Sequence, residues 1–239
     1  MILPRIYPIL DTELLDKRGI DVAAAAAAFL EGGARILQFR HKGLWNRAVY
    51  AAAQAVTGLC QDAGVPLIIN DRADFALLLG AGLHLGQDDL PLNDARRLLG
   101  ANVTIGFSTH NAAQLCAAQQ DDIDYIALGP IFSTTSKRKP DPVVGCEELR
   151  RCRALTNKGL VAIGGITFEN APEILRAGAD SLAIISGLLP ESSQSVQGCD
   201  AHLQAGQKIP RRTQLCAKFP ESRSLRERME AWQRLVDSV

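Results

Sequence analysis

The chain has 239 residues, 47% of them hydrophobic, and its 26 Lys and Arg are matched by 26 Asp and Glu. That length suits one α/β barrel, and the apolar share is enough for a sizeable core. The charge balance argues against a bulk nucleic-acid or anionic-membrane binder, and an aromatic content of 5% weakens base stacking further. No apolar run reaches membrane-spanning length, and the opening "MILPRIYPIL" lacks a basic segment followed by a long apolar stretch. The expectation is no secretory signal and a cytoplasmic protein. The six cysteines, at 60, 116, 146, 152, 199 and 216, include no tight CxxC pair and are expected to be reduced thiols.

Eight short apolar runs follow one another along the chain: 5–10, 34–40, 65–71, 82–87, 103–109, 123–130, 160–166 and 181–187. Their continuous, β-branched character fits strands buried on both faces, hence a parallel sheet. Helical stretches are predicted over 21–31, 45–63, 91–99, 110–119, 145–156 and 168–177. The first opens at Asp21, an N-cap candidate, runs through six Ala and stops at a Gly pair. Repeated strand–helix alternation predicts a (β/α)8 TIM barrel forming one domain. A doubly wound sheet is the alternative, but no dinucleotide fingerprint follows the first strand. Residues 188–221, rich in Ser, Gln, Gly and Pro, read as an irregular insert. A last helix over about 222–237 follows, with Leu225, Met229, Trp232 and Leu235/Val236 on the face expected to pack on the sheet.

Barrel enzymes carry their sites at the C-terminal ends of strands, and here those ends are crowded with polar groups. Gln38, Arg40 and Lys42 alternate, so an extended backbone points them the same way, as a clamp for a polyanion. Asn70, Asp71 and Asp89 end the neighbouring third and fourth strands. Two carboxylates there suit Mg²⁺ held partly by phosphate and water. The plainer reading has Asp71 capping the next helix and pairing with Arg72, and spacing alone does not choose Asp89 over Asp88. Gly164–Gly165 and Ile185–Ser186–Gly187 end strands seven and eight, the usual place for a barrel phosphate site. Ser108 and His110 follow strand five, whereas His84 lies inside strand four and reads as a satisfied core or rim histidine. Cys199, His202 and Cys216 in the insert have poor spacing for a metal. The stretch "GPIFSTTSKRKP" places Thr134, Thr135, Ser136 and Lys137 just after strand six. Arg138 and Lys139 read as a solvated charge run.

Read in order, the strings "QFRHK", "IINDR", "GLHLGQDD", "IGFSTHN", "DYIALGPIFSTTSK", "AIGGIT" and "AIIS" resemble the thiamine-phosphate synthase family over about residues 5–190. The resemblance implies a (β/α)8 barrel that joins a pyrimidine diphosphate to a thiazole phosphate, releasing pyrophosphate. It implies that Gln38, Arg40, Lys42, Asn70, Ser108 and Lys137 bind the pyrimidine diphosphate. It assigns Mg²⁺ to Asp71 and Asp89, and the thiazole phosphate to Thr134, Thr135, Ser136, Gly165, Ile185 and Ser186. Position 136 departs from the pattern as Ser where the family commonly has Thr, but a hydroxyl is kept. The insert has no counterpart in the resemblance. The implied partners are these two small molecules, with no nucleic acid and no membrane, and a homo-oligomer is compatible with the reading. Two rival readings are a related thiazole tautomerase, needing an acid/base such as His110, and a non-catalytic barrel that binds a phosphate ligand.

Overall fold

The computed structural model describes residues 3–134, 141–190 and 224–239. Eight strands form one closed barrel in sequence order: β1 (Ile6–Asp11), β2 (Leu37–Arg40), β3 (Leu67–Asn70), β4 (Gly82–Leu85), β5 (Ile105–Thr109), β6 (Tyr125–Leu128), β7 (Gly159–Ile163) and β8 (Ser181–Ile184). Every neighbouring pair is parallel, and β8 closes on β1 through Ile6↔Leu182. The TIM barrel expected from the sequence is the fold observed.

Alternation along each strand divides the core into two concentric parts. Outward residues such as Leu37, Phe39, Leu83, Leu85, Leu128 and Leu160 meet the surrounding helices. Inward residues, among them Tyr7, Ile9, Ile68, Tyr125, Ala127, Val161 and Ala183, fill the axis. Both faces are apolar because neither meets water, which is why the strands read as continuous apolar runs.

The helices are α1 (Thr12–Lys17), α2 (Val22–Glu31), α3 (Arg47–Asp62), α4 (Ala73–Leu79), α5 (Leu92–Leu99), α6 (Ala112–Ala118), α7 (Gly145–Leu155), α8 (Ala171–Arg176) and α9 (Leu225–Asp237). Asp21 does cap α2, its Oδ1 accepting from the Ala24 N–H at 2.8 Å. Two helices lie outside the predicted helical stretches. α1 is short, and its cap Asp11 is itself the last residue of β1. α4 has only seven residues and no side-chain cap. The body of the barrel also continues past the expected start of the insert at 188: Ser186–Leu188 make a 3₁₀ turn, and Leu188 and Leu189 are buried. Residues 191–223 lie outside the described part, so most of the 188–221 insert, with Cys199, His202 and Cys216, does too. Among the described residues Cys60, Cys116, Cys146 and Cys152 form no disulfide.

α9 is the eighth barrel helix. Ser224 and Glu227 form a capping box at its start. Met229, Trp232 and Val236 are buried against β1, α2 and α8. Gly32 ends α2 where this helix comes closest; a Cβ there would lie 2.6 Å from that of Met229. Leu225 and Leu235 complete the apolar face only partly buried.

The far end of the barrel is pinned by the same device twice. Asp124, just before β6, accepts from the Ile105 N–H of β5 at 2.8 Å and lies 3.4 Å from Arg96 Nη2. Asp180, just before β8, accepts from the Leu160 N–H of β7 at 2.8 Å and pairs with Arg153 at 2.7 Å. Each carboxylate satisfies a strand-end donor and holds one strand in register with the next. The opposite rim is left to function.

Gly106 of β5 is required by packing across the axis. It pairs with Tyr125 of β6, and a Cβ at 106 would fall 2.0 Å from that ring. Gly106→Ala should therefore destabilise the protein by about 1–3 kcal/mol, measured as a lower urea midpoint with an unchanged slope.

Candidate active site

At the C-terminal rim, the alternation of β2 turns Gln38 and Arg40 inward while Leu37 and Phe39 face the helices. Gln38 is 3% exposed and donates from Nε2 to the Tyr7 hydroxyl at 3.0 Å. Arg40 pairs with Asp11, its register partner at the end of β1. The other oxygen of Asp11 caps α1 by accepting from the Leu14 N–H at 2.9 Å. One buried carboxylate thus starts a helix and aims a guanidinium. Sequence reading missed Asp11; an Asp directly before a helix is a cap signal, but its second task depends on a neighbour 29 residues away.

Lys42 lies beyond the strand, with Nζ 2.6 Å from Asp71 Oδ2. Asp71 has a left-handed backbone, φ 66°, alone among the described non-glycine residues. Its N–H bonds the His84 carbonyl at 2.8 Å. This sharp turn sends the carboxylate over the barrel mouth, so the plainer expectation fails. Asp71 does not cap α4, whose N-cap is Arg72, and Arg72 pairs instead with Asp74 at 2.5 Å. Strain held at a polar residue in a cleft is a mark of functional sites.

Asp89 Oδ2 accepts from the Gly86 N–H at 2.7 Å. Burial pushes its pKa up, and the neighbouring Asp71 carboxylate adds to the rise, while the Gly86 N–H and Lys42 oppose it. Asp71 and Asp89 are thus within reach of each other, and Asp88 is exposed. Among the described residues no third Asp, Glu, His or Cys completes a metal cluster with them. Asn70 is 6% exposed, and its Nδ2 is buried without a partner among the described residues.

These groups line one cavity of about 500 Å³, bounded by Gln38, Arg40, Lys42, Asn70, Asp71, Asp89, Ser108 and His110. A second cavity of about 260 Å³ adjoins it, sharing Arg40, Ser108, His110, Ile163 and Ile185. It is lined by Ser133, Thr134, Gly164, Gly165, Ile185 and Ser186. Gly164 and Gly165 have φ of 96° and 65°, and a Cβ on either would strike the chain at Pro130–Ser133. Both glycines therefore do what a tight turn requires, and they also admit the chain leaving β6, whose Phe132 N–H bonds the Gly164 carbonyl at 3.0 Å. A larger groove of about 1020 Å³ lies beside α1, α2 and α3; it shares Arg40 and Lys42 with the charged cavity, but Asn70, Asp71, Asp89 and Ser108 do not line it.

The candidate residues thus fall into two adjoining groups, charged and amide-bearing on one side, glycine- and hydroxyl-bearing on the other. Thr135, Ser136 and Lys137 lie outside the described residues, as do Arg138 and Lys139. His110 is held on both sides, its Nδ1 2.5 Å from the Gly129 carbonyl and its Nε2 3.5 Å from Asp141. His84 is buried as expected, with ring contacts to Tyr125 and Ser108.

A family model described as thiamine monophosphate synthase matches residues 6–188, the whole stretch that carries this rim. The chain belongs to that family. A thiamine-phosphate synthase of Koribacter versatilis is 43% identical over 195 residues, covering 80% of this chain and 92% of that protein. One from Chloroflexus aurantiacus is 41% identical over 186 residues, covering 77% and 85%. In three dimensions, a thiamine phosphate pyrophosphorylase of Pyrococcus furiosus superposes with a TM-score of 0.75 at 25% identity, covering 98% of this chain and 96% of that one. The family match ends at 188, where the chain enters the stretch read as an insert.

The raised pKa of Asp89 has a consequence for stability. A carboxyl whose folded pKa lies above its ordinary value favours folding while protonated, and that advantage is lost as pH rises through the folded value. At neutral pH the ionised Asp89 therefore weighs against the folded state. Without metal, Asp89→Asn should raise the thermal midpoint at pH 7 and leave it nearly unchanged near pH 3. Differential scanning calorimetry in a chelator checks both.

Proposed function

We propose that the chain is a thiamine-phosphate synthase. In this reading it transfers a 4-amino-2-methylpyrimidinylmethyl group from diphosphate to the nitrogen of 4-methyl-5-(2-phosphoethyl)thiazole or its carboxylated form. The products are thiamine phosphate and pyrophosphate. The observation that carries the reading is the pair of adjoining cavities, one with cations, amides and two carboxylates, the other with glycines and hydroxyls. Two phosphorylated substrates need two such subsites side by side.

The reaction requires a C–O bond to break and a highly charged group to leave. Arg40 and Lys42 face that group and offset its growing charge within a partly enclosed site. Asn70 offers a buried amide donor that has no partner among the described residues and suits a diphosphate oxygen. Lys137 is assigned to the same group by the family pattern. Asp71 and Asp89 fit Mg²⁺: hard, partly buried carboxylate oxygens from two adjacent strand ends, leaving its other positions to phosphate and water. Bound there, Mg²⁺ would neutralise charge on the leaving diphosphate. Lys42 now neutralises Asp71 and must exchange that partner for the diphosphate when the site fills.

Loss of diphosphate leaves a pyrimidinylmethyl cation, to which the ring amino group donates electrons. The thiazole nitrogen attacks it, so no protein nucleophile takes part. The phosphate of the thiazole is held by the second cavity, where Gly165, Ile185 and Ser186 permit close backbone approach and Thr134 stands opposite. Thr135 and Ser136 are assigned to the same phosphate by the family pattern. The cavities must exclude water, which would trap the cation as the alcohol.

Incubation of the purified protein with both substrates and Mg²⁺ should yield thiamine phosphate by mass spectrometry; folded protein that makes none overturns the reading. Asp71→Asn should lower turnover on the order of 100-fold or more, since Asn tolerates the left-handed backbone but is a poor Mg²⁺ ligand. The same variant should lose the rise in thermal midpoint that Mg²⁺ and pyrophosphate together give the unaltered protein. Near-normal turnover and an unchanged rise would remove Asp71 from the metal site.

A further inference from the structure

Beneath the charged cavity, five polar side chains form one line of hydrogen bonds across the barrel axis. Gln38 Nε2 donates to the Tyr7 hydroxyl at 3.0 Å, and the two tyrosine oxygens are 2.9 Å apart. The Tyr125 hydroxyl is 3.0 Å from His84 Nδ1, and His84 Nε2 is 2.8 Å from Ser108 Oγ. The two ends, Gln38 and Ser108, line the charged cavity, Tyr7 and His84 also border it, and the two tyrosines are almost fully buried. Tyr125 stacks on His84 at 5.6 Å and meets Tyr7 edge to face at 5.9 Å, so the middle of the line is held by packing.

The line has a direction. An amide nitrogen only donates, so the Tyr7 oxygen accepts from Gln38 and sends its own proton to Tyr125. Tyr125 then passes its proton toward His84 Nδ1. A ring nitrogen that accepts carries no hydrogen, so the imidazole hydrogen sits on Nε2 and points at Ser108 Oγ. Ser108 accepts there and keeps its hydroxyl hydrogen for the cavity, while Gln38 keeps Oε1 as an acceptor. Reversing a middle link leaves a buried tyrosine hydrogen without an acceptor, reversing the Gln38 link leaves two tyrosine oxygens with no hydrogen between them, and reversing the Ser108 link would strip the imidazole of its hydrogen. Burial pushes both tyrosine hydroxyls above their ordinary range, so both keep the protons this order needs.

We propose that Tyr7, Tyr125 and His84 are positioning residues: a one-way hydrogen-bond chain that makes Gln38 present an acceptor and Ser108 a donor to the substrate. This rests on the proposed function for its kinetic consequence but not for its structural one. Neither end can turn without turning the other, although they stand on strands on different sides of the barrel.

The test is the ¹⁵N spectrum of the histidine rings at about pH 8, where imidazole is neutral, with His84 assigned through loss of its signals in His84→Gln. The free protein should show the Nε2–H tautomer. Gln38→Glu replaces the donor by an acceptor, reverses every link and should give the Nδ1–H tautomer. Tyr7→Phe cuts the chain and should give a mixture of the two. An Nδ1–H tautomer in the unaltered protein, or an unmoved Nε2–H signal in both variants, overturns the proposal. In the enzyme assay, Tyr125→Phe should raise KM for the pyrimidine diphosphate about fivefold or more, the worth of one hydrogen bond, with KM for the thiazole phosphate within about twofold. Equal effects on both substrates also overturn it. A protein that shows the predicted tautomers but makes no thiamine phosphate would count against the proposed function alone.

Discussion

Closing eight parallel strands into a barrel leaves an axis that side chains must fill, and in this chain Tyr125 fills it at the level where the site begins. Its ring fits only because its register partner on β5 is Gly106. Its hydroxyl makes the ring more than filler, since a buried phenol needs partners and finds them in Tyr7 and His84. Around it the inward face is mostly apolar, with Ile9, Ala127, Val161 and Ala183 beside the polar Gln38, Asn70 and Ser108, and together they make the packed floor of the charged cavity. A site that must hold two substrates in register needs such a floor.

The rim above that floor is built against stability. Asp71 holds a left-handed backbone, Asp89 is partly buried beside it, and the Nδ2 of Asn70 is buried with no described partner. Each of these is unfavourable in the empty protein and becomes favourable when cations or phosphate oxygens arrive. The opposite end of the barrel shows the reverse economy. There Asp124 and Asp180 each satisfy a strand-end N–H and a guanidinium, and neither touches the cavities. One set of residues holds the strands in register, and the other is left unsatisfied for a ligand.

Most of the architecture was legible along the chain. Six of the eight strands fall inside the apolar runs, and β1 and β7 each overrun theirs by one residue, because burial on both faces leaves a continuous signal. The final helix was legible from its apolar stripe, and Met229, Trp232 and Val236 are indeed buried. α1 and α4 were not, since neither is long enough to show a helical period and α4 has no capping side chain. The rim residues could be picked out because each follows a strand. Asp11 and the tyrosine–histidine line could not. Their meaning lies in contacts between residues 24 to 118 apart in sequence, and nothing local distinguishes a tyrosine that fills a core from one that also carries a hydrogen bond.

Fold class, the order of the elements and the chemical kinds of groups at the rim are written along the chain, because strand periodicity and strand ends are local properties. Family membership followed from the same ordered strings. What each group does in the empty protein depends on how the closed barrel brings the strand ends together. That closure turned Asp71 away from helix capping toward Lys42, put Asp89 rather than Asp88 beside it, and fixed Arg40 through Asp11. The reason is physical: a carboxylate's partner is set by distance in space and by what water is excluded, and closing the barrel brings together groups that the chain keeps apart.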